Sequence, residues 1–263
     1  MLIPVDSLDD PRIAPYRNLK DRELACQGER FIAEGEWVVR RLLAGPVAAD
    51  SLLLADHRAA EIGPLASPAL PVYVAPGELV SRVVGYRFHS GVLGCGRRPA
   101  PVRLASVAAD WPARVTLVGL PEVSNTENMG GLLRISAAFG ANAVLLGPRC
   151  CDPFYRQSVR VSMGTIFKLT LIHSTDLLAD LARLRDRCQV QLIATVLDKQ
   201  AEPLARANRP ERVALLFGNE AQGLPADIVA ACDRRVTIPM NLGTDSLNVA
   251  VAAGVFLHHF CNA

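Results

Sequence analysis

Three stretches in the second half of the chain bring amides, carboxylates, hydroxyls and glycines together in patterns that could do chemistry. The first, residues 125–140, follows an apolar run and carries Asn128, Gly130, Gly131 and Arg134. Helical periodicity from Gly131 onward puts a helix start here. Amides at a helix N-terminus favour anions, and glycine admits a close backbone approach. The second, residues 215–225, leaves an apolar run through Gly218, Asn219 and Glu220 and reaches Gly223 and Pro225. Proline suits the start of the next helix, and the glycines let a flat ligand lie against the backbone. The third, residues 238–254, sets Ile238, Met240, Ser246, Leu247 and Asn248 ahead of a run rich in small residues. Taken singly, each stretch has an ordinary explanation. Asn128 reads as a helix cap, Arg134 as a surface cation, residues 218–223 as a strand-to-helix turn, and Ser246 or Asp245 as the cap of a last helix. Asn128 and Arg134, six residues apart, do not share a helical face unless the chain turns between them.

The elements that must position these residues alternate. Apolar runs at 115–120, 143–146, 167–172, 192–197, 213–217 and 236–239 read as strands. Residues 131–139, 153–163, 176–187 and 247–260 read as helices. This alternation implies an α/β domain with a parallel sheet covered on both faces. Ligands in such sheets sit at the carboxyl ends of strands, which directs attention to the loops after Leu120, Phe217 and Pro239.

The first half reads as a smaller α/β module, with a helix ending near Gly45 and short strands at 51–55 and 72–74. The stretch with Gly91, Gly94, Gly96, Pro99 and Pro101 reads as a linker. Three regions follow: residues 1–96, a linker over 97–112, and residues 113–263. Residues 79–109 contain no acidic side chain but include Arg82, Arg87, Arg97, Arg98 and Arg103. That run is either a solvated linker or a strip that contacts phosphates.

The whole-chain balance is less informative. Lys and Arg number 28, Asp and Glu 26, for a formal charge of +2. Any nucleic-acid contact must therefore come from local patches. The seven cysteines, Cys26, Cys95, Cys150, Cys151, Cys188, Cys232 and Cys261, form no C-x-x-C pair. They read as reduced thiols of a cytoplasmic protein, with no zinc site or disulfide framework. The opening MLIPVDSLDDPR does not read as a signal peptide, and no run approaches the roughly 20 apolar residues of a membrane span. His258 and His259 are adjacent, point apart on a helix, and read as surface or interface residues.

Together, in this order and at these spacings, the three stretches resemble the SpoU, or TrmH, family of ribose 2′-O-methyltransferases in the SPOUT superfamily. The resemblance covers the chain from about Val115 onward. Asp152-Pro-Phe-Tyr-Arg156 and Arg160-Val-Ser-Met-Gly164 are similar to the family's segment between its first two motifs. More loosely, Glu34-Gly35 and His89-Ser-Gly-Val92 suit its small N-terminal RNA-binding domain, which is similar to ribosomal proteins that bind kinked RNA.

The resemblance implies a deep trefoil knot in the C-terminal domain, otherwise nearly absent from proteins. It implies S-adenosyl-L-methionine held bent by knot loops, here around Gly218, Asn219, Ile238, Met240 and Leu247. It places Arg134 and Asn128 near the reacting hydroxyl, Glu220 as the acid of the second motif, and Ser246 with Asn248 in the third. Arg156 and Arg160 join Arg82, Arg87, Arg97 and Arg98 as candidate RNA contacts. A homodimer with active sites at the subunit interface is implied, with the last helix as the contact. No metal is needed. An arginine stays protonated in nearly all protein settings, so Arg134 is expected to position the hydroxyl and a phosphate while another group takes the proton.

The expected substrate is ribosomal RNA, with transfer RNA as the alternative. A resistance methyltransferase and a non-catalytic RNA-binding protein on the same fold are further readings. A nucleotide-dependent oxidoreductase fits poorly: after Gly94-Cys95-Gly96, Pro99 occupies the last glycine position of G-x-G-x-x-G.

Overall fold

The computed structural model describes residues 2–17, 29–242 and 246–262. Cys26, Gly243 and Asp245 lie outside the described residues. The chain divides into two compact units, Met1–Pro99 with Asp152–Lys168, and Ala100–Cys151 with Leu169–Ala263. The segment 152–168, which the sequence reading keeps with the second half, clusters with the first unit.

The first unit is a five-stranded sheet of β1 (Leu2–Pro4), β2 (Arg30–Glu34), β3 (Ala49–Ala55), β4 (Val72–Ala75) and β5 (Val92–Arg97), in the order β1-β4-β3-β5-β2. β5 runs antiparallel to both its neighbours. Helices α1 (Glu36–Ala44), α2 (Asp56–Ile62) and α3 (Gly77–Val84) complete it. α3 buries Leu79, Val80, Val83 and Val84, the i, i+1, i+4, i+5 stripe of a half-covered helix. Gly85 ends that helix in the left-handed region, at φ 82°.

β5 corrects the sequence reading. Residues 92–97 of the glycine-rich stretch are a buried strand between β2 and β3, because its glycines mark close approach rather than flexibility. A Cβ on Gly96 would stand 2.4 Å from the Phe31 ring, and one on Gly94 3.2 Å from Leu42. The same Phe31 ring meets Phe154 at 5.1 Å and Phe167 at 5.4 Å, which seats segment 152–168 on this sheet. The expected helix over 153–163 shortens to Arg156–Val161. It stops where Met163 and Gly164 turn left-handed, at φ 55° and 74°. The expected strand over 167–172 begins only at Leu171.

The second unit is a seven-stranded sheet with every pairing parallel. Its strands are β6 (Val115–Leu120), β7 (Ala143–Leu146), β8 (Leu171–His173), β9 (Gln191–Thr195), β10 (Glu202–Pro203), β11 (Arg212–Leu216) and β12 (Arg234–Thr237), in the order β10-β12-β9-β11-β6-β7-β8. The chain steps outward from β6 to β7 and β8, then returns across the sheet to β9 and β11, so the order reverses around β11. Helices α4 (Thr126–Ala138), α5 (Leu177–Cys188) and α6 (Val249–Asn262) cover it. α4 begins earlier than the sequence suggests, because Asn125 caps it by accepting from the amides of Glu127 and Asn128. Gly131 therefore lies inside the helix, where a Cβ would stand 2.9 Å from Ala250 of α6. The small residues of α6 pack against α4. His259 is half-buried and bonds the Ala207 carbonyl at 2.7 Å, while His258 is exposed and sets its edge on Phe139. Among the described residues, no helix is long and apolar enough to cross a membrane.

Gly96→Ala should lower stability by about 1–3 kcal/mol, the usual cost of overpacking, read as a lower denaturant midpoint at unchanged slope. Adding Phe31→Leu should recover part of the loss. A neutral Gly96→Ala would mean that the ring does not hold this strand.

Candidate functional site

The carboxyl ends of β9, β11 and β12 open into a cleft of about 680 Å³, within the usual size of a small-molecule site. It is lined by Asn128, Gly218, Asn219, Glu220, Ile238, Met240, Ser246, Leu247 and Asn248, so the three stretches meet in one place. Arg134 is not among the lining residues. It lies six residues beyond Asn128 on one continuous helix, about 240° further round at roughly 100° per residue, and is exposed.

One chain of hydrogen bonds joins the three stretches, and its polarity can be deduced from one end. The Asn248 Oδ1 accepts from the amides of Ala250 at 2.9 Å and Val251 at 3.4 Å, which caps α6. Amides only donate, so the Asn248 Nδ2 must point away from them. It donates to Asn128 Oδ1 at 2.8 Å. The Asn128 Nδ2 is then left to donate to Glu220 Oε1 at 2.7 Å. The relay ends on a carboxylate, the natural acceptor for a final N–H donor. Asn128 is thus a link in the relay and not a cap, and the cap of the last helix is Asn248 rather than Ser246.

Asn219 serves its own loop. Its side chain accepts from the amides of Ala221 and Gln222, and its backbone exchanges two 2.9 Å bonds with Gly223. Gly218 is required there, since a Cβ would fall 2.2 Å from the Gly223 carbonyl carbon.

Sequence reasoning missed the β9 edge of the cleft, where Thr195, Val196, Leu197 and Asp198 line it. That loop has no glycine cluster to announce it. Leu197 at this edge is 65% exposed. Phe217 and Phe256, both buried, meet edge to face at 5.8 Å beneath the cleft. The charged lining residues are Glu220 and Asp198, with no Lys or Arg among the described ones. Asp198 is paired with Arg235 at 3.4 Å. The cleft therefore suits a flat ligand that carries positive charge.

The arginines expected to contact RNA are dispersed. Arg82 and Arg87 are exposed. Arg97 reaches Asp50 at 2.6 Å, and Arg98 reaches Asp152 at 2.5 Å. Arg156 has partners of its own in the first unit. It pairs with Glu34, donates to the Tyr86 hydroxyl at 2.9 Å and lies over the Tyr86 ring. Glu34 is only 6% exposed and needs that compensating cation. Arg160 touches Glu34 at 3.2 Å and remains half-exposed. Burial pushes the thiols of Cys95 and Cys150 up to about 11 and that of Cys232 to about 12, so none is poised as a thiolate. Among the described residues, no three His, Cys, Asp or Glu side chains cluster as metal ligands.

The SpoU rRNA methylase family model matches residues 115–258. The chain belongs to the SpoU family. An uncharacterised tRNA/rRNA methyltransferase of Mycobacterium tuberculosis is 38% identical over 94% of this chain and 87% of its own length. The 23S rRNA (guanosine-2′-O-)-methyltransferase of Acinetobacter baylyi is 32% identical over 78% of this chain and 84% of its own. An AdoMet-bound rRNA methyltransferase from Sinorhizobium meliloti has the same fold, with a TM-score of 0.83 at 24% identity, covering 99% and 98% of the two chains.

The SpoU family uses S-adenosylmethionine, and the cleft fits it. The apolar side chains of Ile238, Met240 and Leu247 suit an adenine, and the carboxylates suit the sulfonium and ammonium charges. Asn128→Asp turns the donor facing Glu220 into a carboxylate oxygen. S-adenosylmethionine affinity should then fall at least about tenfold, since like charges forced together cost over a kcal/mol, read by calorimetry. Unchanged affinity would sink the claim that the relay shapes the cleft.

Proposed function

We propose that this SpoU-family chain methylates a ribose 2′-hydroxyl of ribosomal RNA, with S-adenosylmethionine as donor. The observation that carries the reading is the single cleft in which Asn128, Glu220, Ser246 and Asn248 converge. The 23S rRNA specificity named for the Acinetobacter relative favours ribosomal over transfer RNA. The decisive experiment maps 2′-O-methyl sites in cellular RNA with and without the protein. Loss of a ribosomal site supports the proposal. A lost transfer RNA site would redirect it, and unchanged maps would reject it.

Bound S-adenosylmethionine supplies a methyl already activated on a sulfonium. The protein must then align the hydroxyl and accept its proton. Gly218, Ile238, Met240 and Leu247 would hold the cofactor, with Asn219 keeping their loop in shape. Asn128 and Asn248 are fixed by the relay, and Ser246 stands beside them to orient the ribose. Glu220 gives one oxygen to Asn128. Its second oxygen has no hydrogen-bond partner among the described residues, so it is the acceptor for the hydroxyl proton. This chemistry calls for no metal.

The proposal extends to a homodimer whose sites lie at the subunit interface. Arg134 faces away from its own Asn128, so a second copy is the natural source of the guanidinium that positions substrate. Val251 and Val255, 53% and 41% exposed and one turn apart, give α6 an uncovered apolar edge for that contact. The C-terminal knot belongs to the same reading. Its support is that residues 246–248 return to the loop after β11 and the start of α4 through the relay. We further place RNA binding on the first unit as a module like kinked-RNA-binding ribosomal proteins, and the protein in the cytoplasm with its substrate.

Arg134→Lys should lose most turnover while keeping S-adenosylmethionine affinity, because an ammonium lacks the guanidinium fork. Near-full turnover would refute the need for that fork. Glu220→Gln keeps a carbonyl acceptor for Asn128 yet removes the proton acceptor, so turnover should fall about 100-fold or more. Mixing Arg134→Ala with Glu220→Gln should restore about a quarter of wild-type activity through one intact site per mixed dimer. No recovery, or a monomer by light scattering, would reject the shared site.

A further inference from the structure

The first unit has a cavity of its own, about 820 Å³, bordered by Arg12, Arg17, Arg30, Asp50 and Arg97. Its centre is an arrangement that stability alone does not explain. Arg30 and Arg97 are direct partners across antiparallel β2 and β5. Like charges in that position destabilise a sheet. Asp50 bridges them: its Oδ2 accepts Arg30 Nε at 2.8 Å and its Oδ1 accepts Arg97 Nε at 2.6 Å. Burial works to raise the Asp50 pKa, but the bonds from Arg30 and Arg97 outweigh it and hold the carboxyl below its ordinary value.

One guanidinium would neutralise Asp50, and the second leaves excess positive charge. Each arginine spends its Nε on the carboxylate, so the two Nη groups of each remain without a partner among the described residues. The side chains are 59% and 67% exposed. Holding the Nε fixes the plane of each fork, the geometry that grips a phosphate with paired N–H bonds. Arg17 adds a further cation at the cavity, and its Nε is buried without a partner among the described residues. Arg12 is already neutralised by Asp10 at 2.5 Å and contributes shape rather than charge.

We propose that Arg30 and Arg97, clamped by Asp50 and joined by Arg17, form a binding site for backbone phosphates of the RNA substrate. The site rests on the reading of the chain as an RNA methyltransferase and adds the place where that RNA is held. Arg97 belongs to the basic run of residues 79–109, whereas Arg30 lies outside it and enters only through strand pairing.

The test titrates a labelled 23S ribosomal RNA transcript against the full-length protein over a salt series. Arg30→Gln/Arg97→Gln should weaken binding about tenfold or more and flatten the log affinity against log salt slope by about 1.4–1.8, the loss of two phosphate contacts. Calorimetric affinity for S-adenosylmethionine should not change. Arg30→Lys/Arg97→Lys keeps both charges and the Asp50 contacts, so it should keep the slope while losing part of the affinity. A Gln variant with wild-type affinity and slope overturns the clamp, as does a Lys variant whose slope falls with that of the Gln variant. Either result leaves the methyltransferase reading standing. Unchanged cellular methylation maps would instead reject that reading.

Discussion

The second unit depends on a directional constraint: backbone amides can only donate. Two amides at the start of α6 fix which end of Asn248 faces them, and that choice propagates through Asn128 to Glu220. Three segments that are distant in sequence are thereby locked in one arrangement. Each bond is modest in net energy, about 1 kcal/mol, but the set is cooperative, because reversing any amide leaves donor facing donor. The cleft is a geometric product of this relay and of the tight Gly218–Gly223 approach, where no side chain could fit. Asn219, whose side chain and backbone bond Ala221, Gln222 and Gly223, holds that loop in shape.

The first unit rests on a different constraint, the demand of a buried charge. Glu34, at the end of β2, is nearly inaccessible and takes its neutralising partner from Arg156, far along the chain. Removing one partner of such a pair costs about 3–5 kcal/mol. Phe31, three residues earlier on the same strand, contributes the apolar half of the attachment through Phe154 and Phe167. Segment 152–168 is therefore bound to this unit by the ion pairs of Arg156 and Arg160 with Glu34 and of Asp152 with Arg98, and by an aromatic cluster, although it lies between β7 and β8 in sequence.

Periodicity captured what depends on periodicity. The apolar runs at 115–120 and 143–146 are strands with those bounds, the other strands read from the sequence shift by a few residues, and the two-residue β10 has no apolar run to announce it. Composition failed where residues have two uses. Gly94 and Gly96 read as flexible, yet they are small because rings and aliphatic side chains press on β5. Asn128 and Ser246 read as caps, while the caps are Asn125 and Asn248. All four are cap-forming types near a helix start, and only the register of the helix separates them. The convergence of Asn128, Glu220 and Asn248 came from family resemblance. Nothing in local sequence states that residues 92 and 120 positions apart will bond.

The nearly neutral total charge is also resolved by structure. A sum of +2 argues weakly for a polyanionic partner only if charge is spread evenly, and here it is sorted. Among the described residues, the cofactor-sized cleft is lined by Glu220 and Asp198 with no cation, whereas the cavity of the first unit is bordered by four arginines and one carboxylate. A cationic small molecule and a polyanion make opposite demands, and one patch could not meet both. Net charge is therefore the wrong observable for such a protein, and the sign of each concave surface is the informative one.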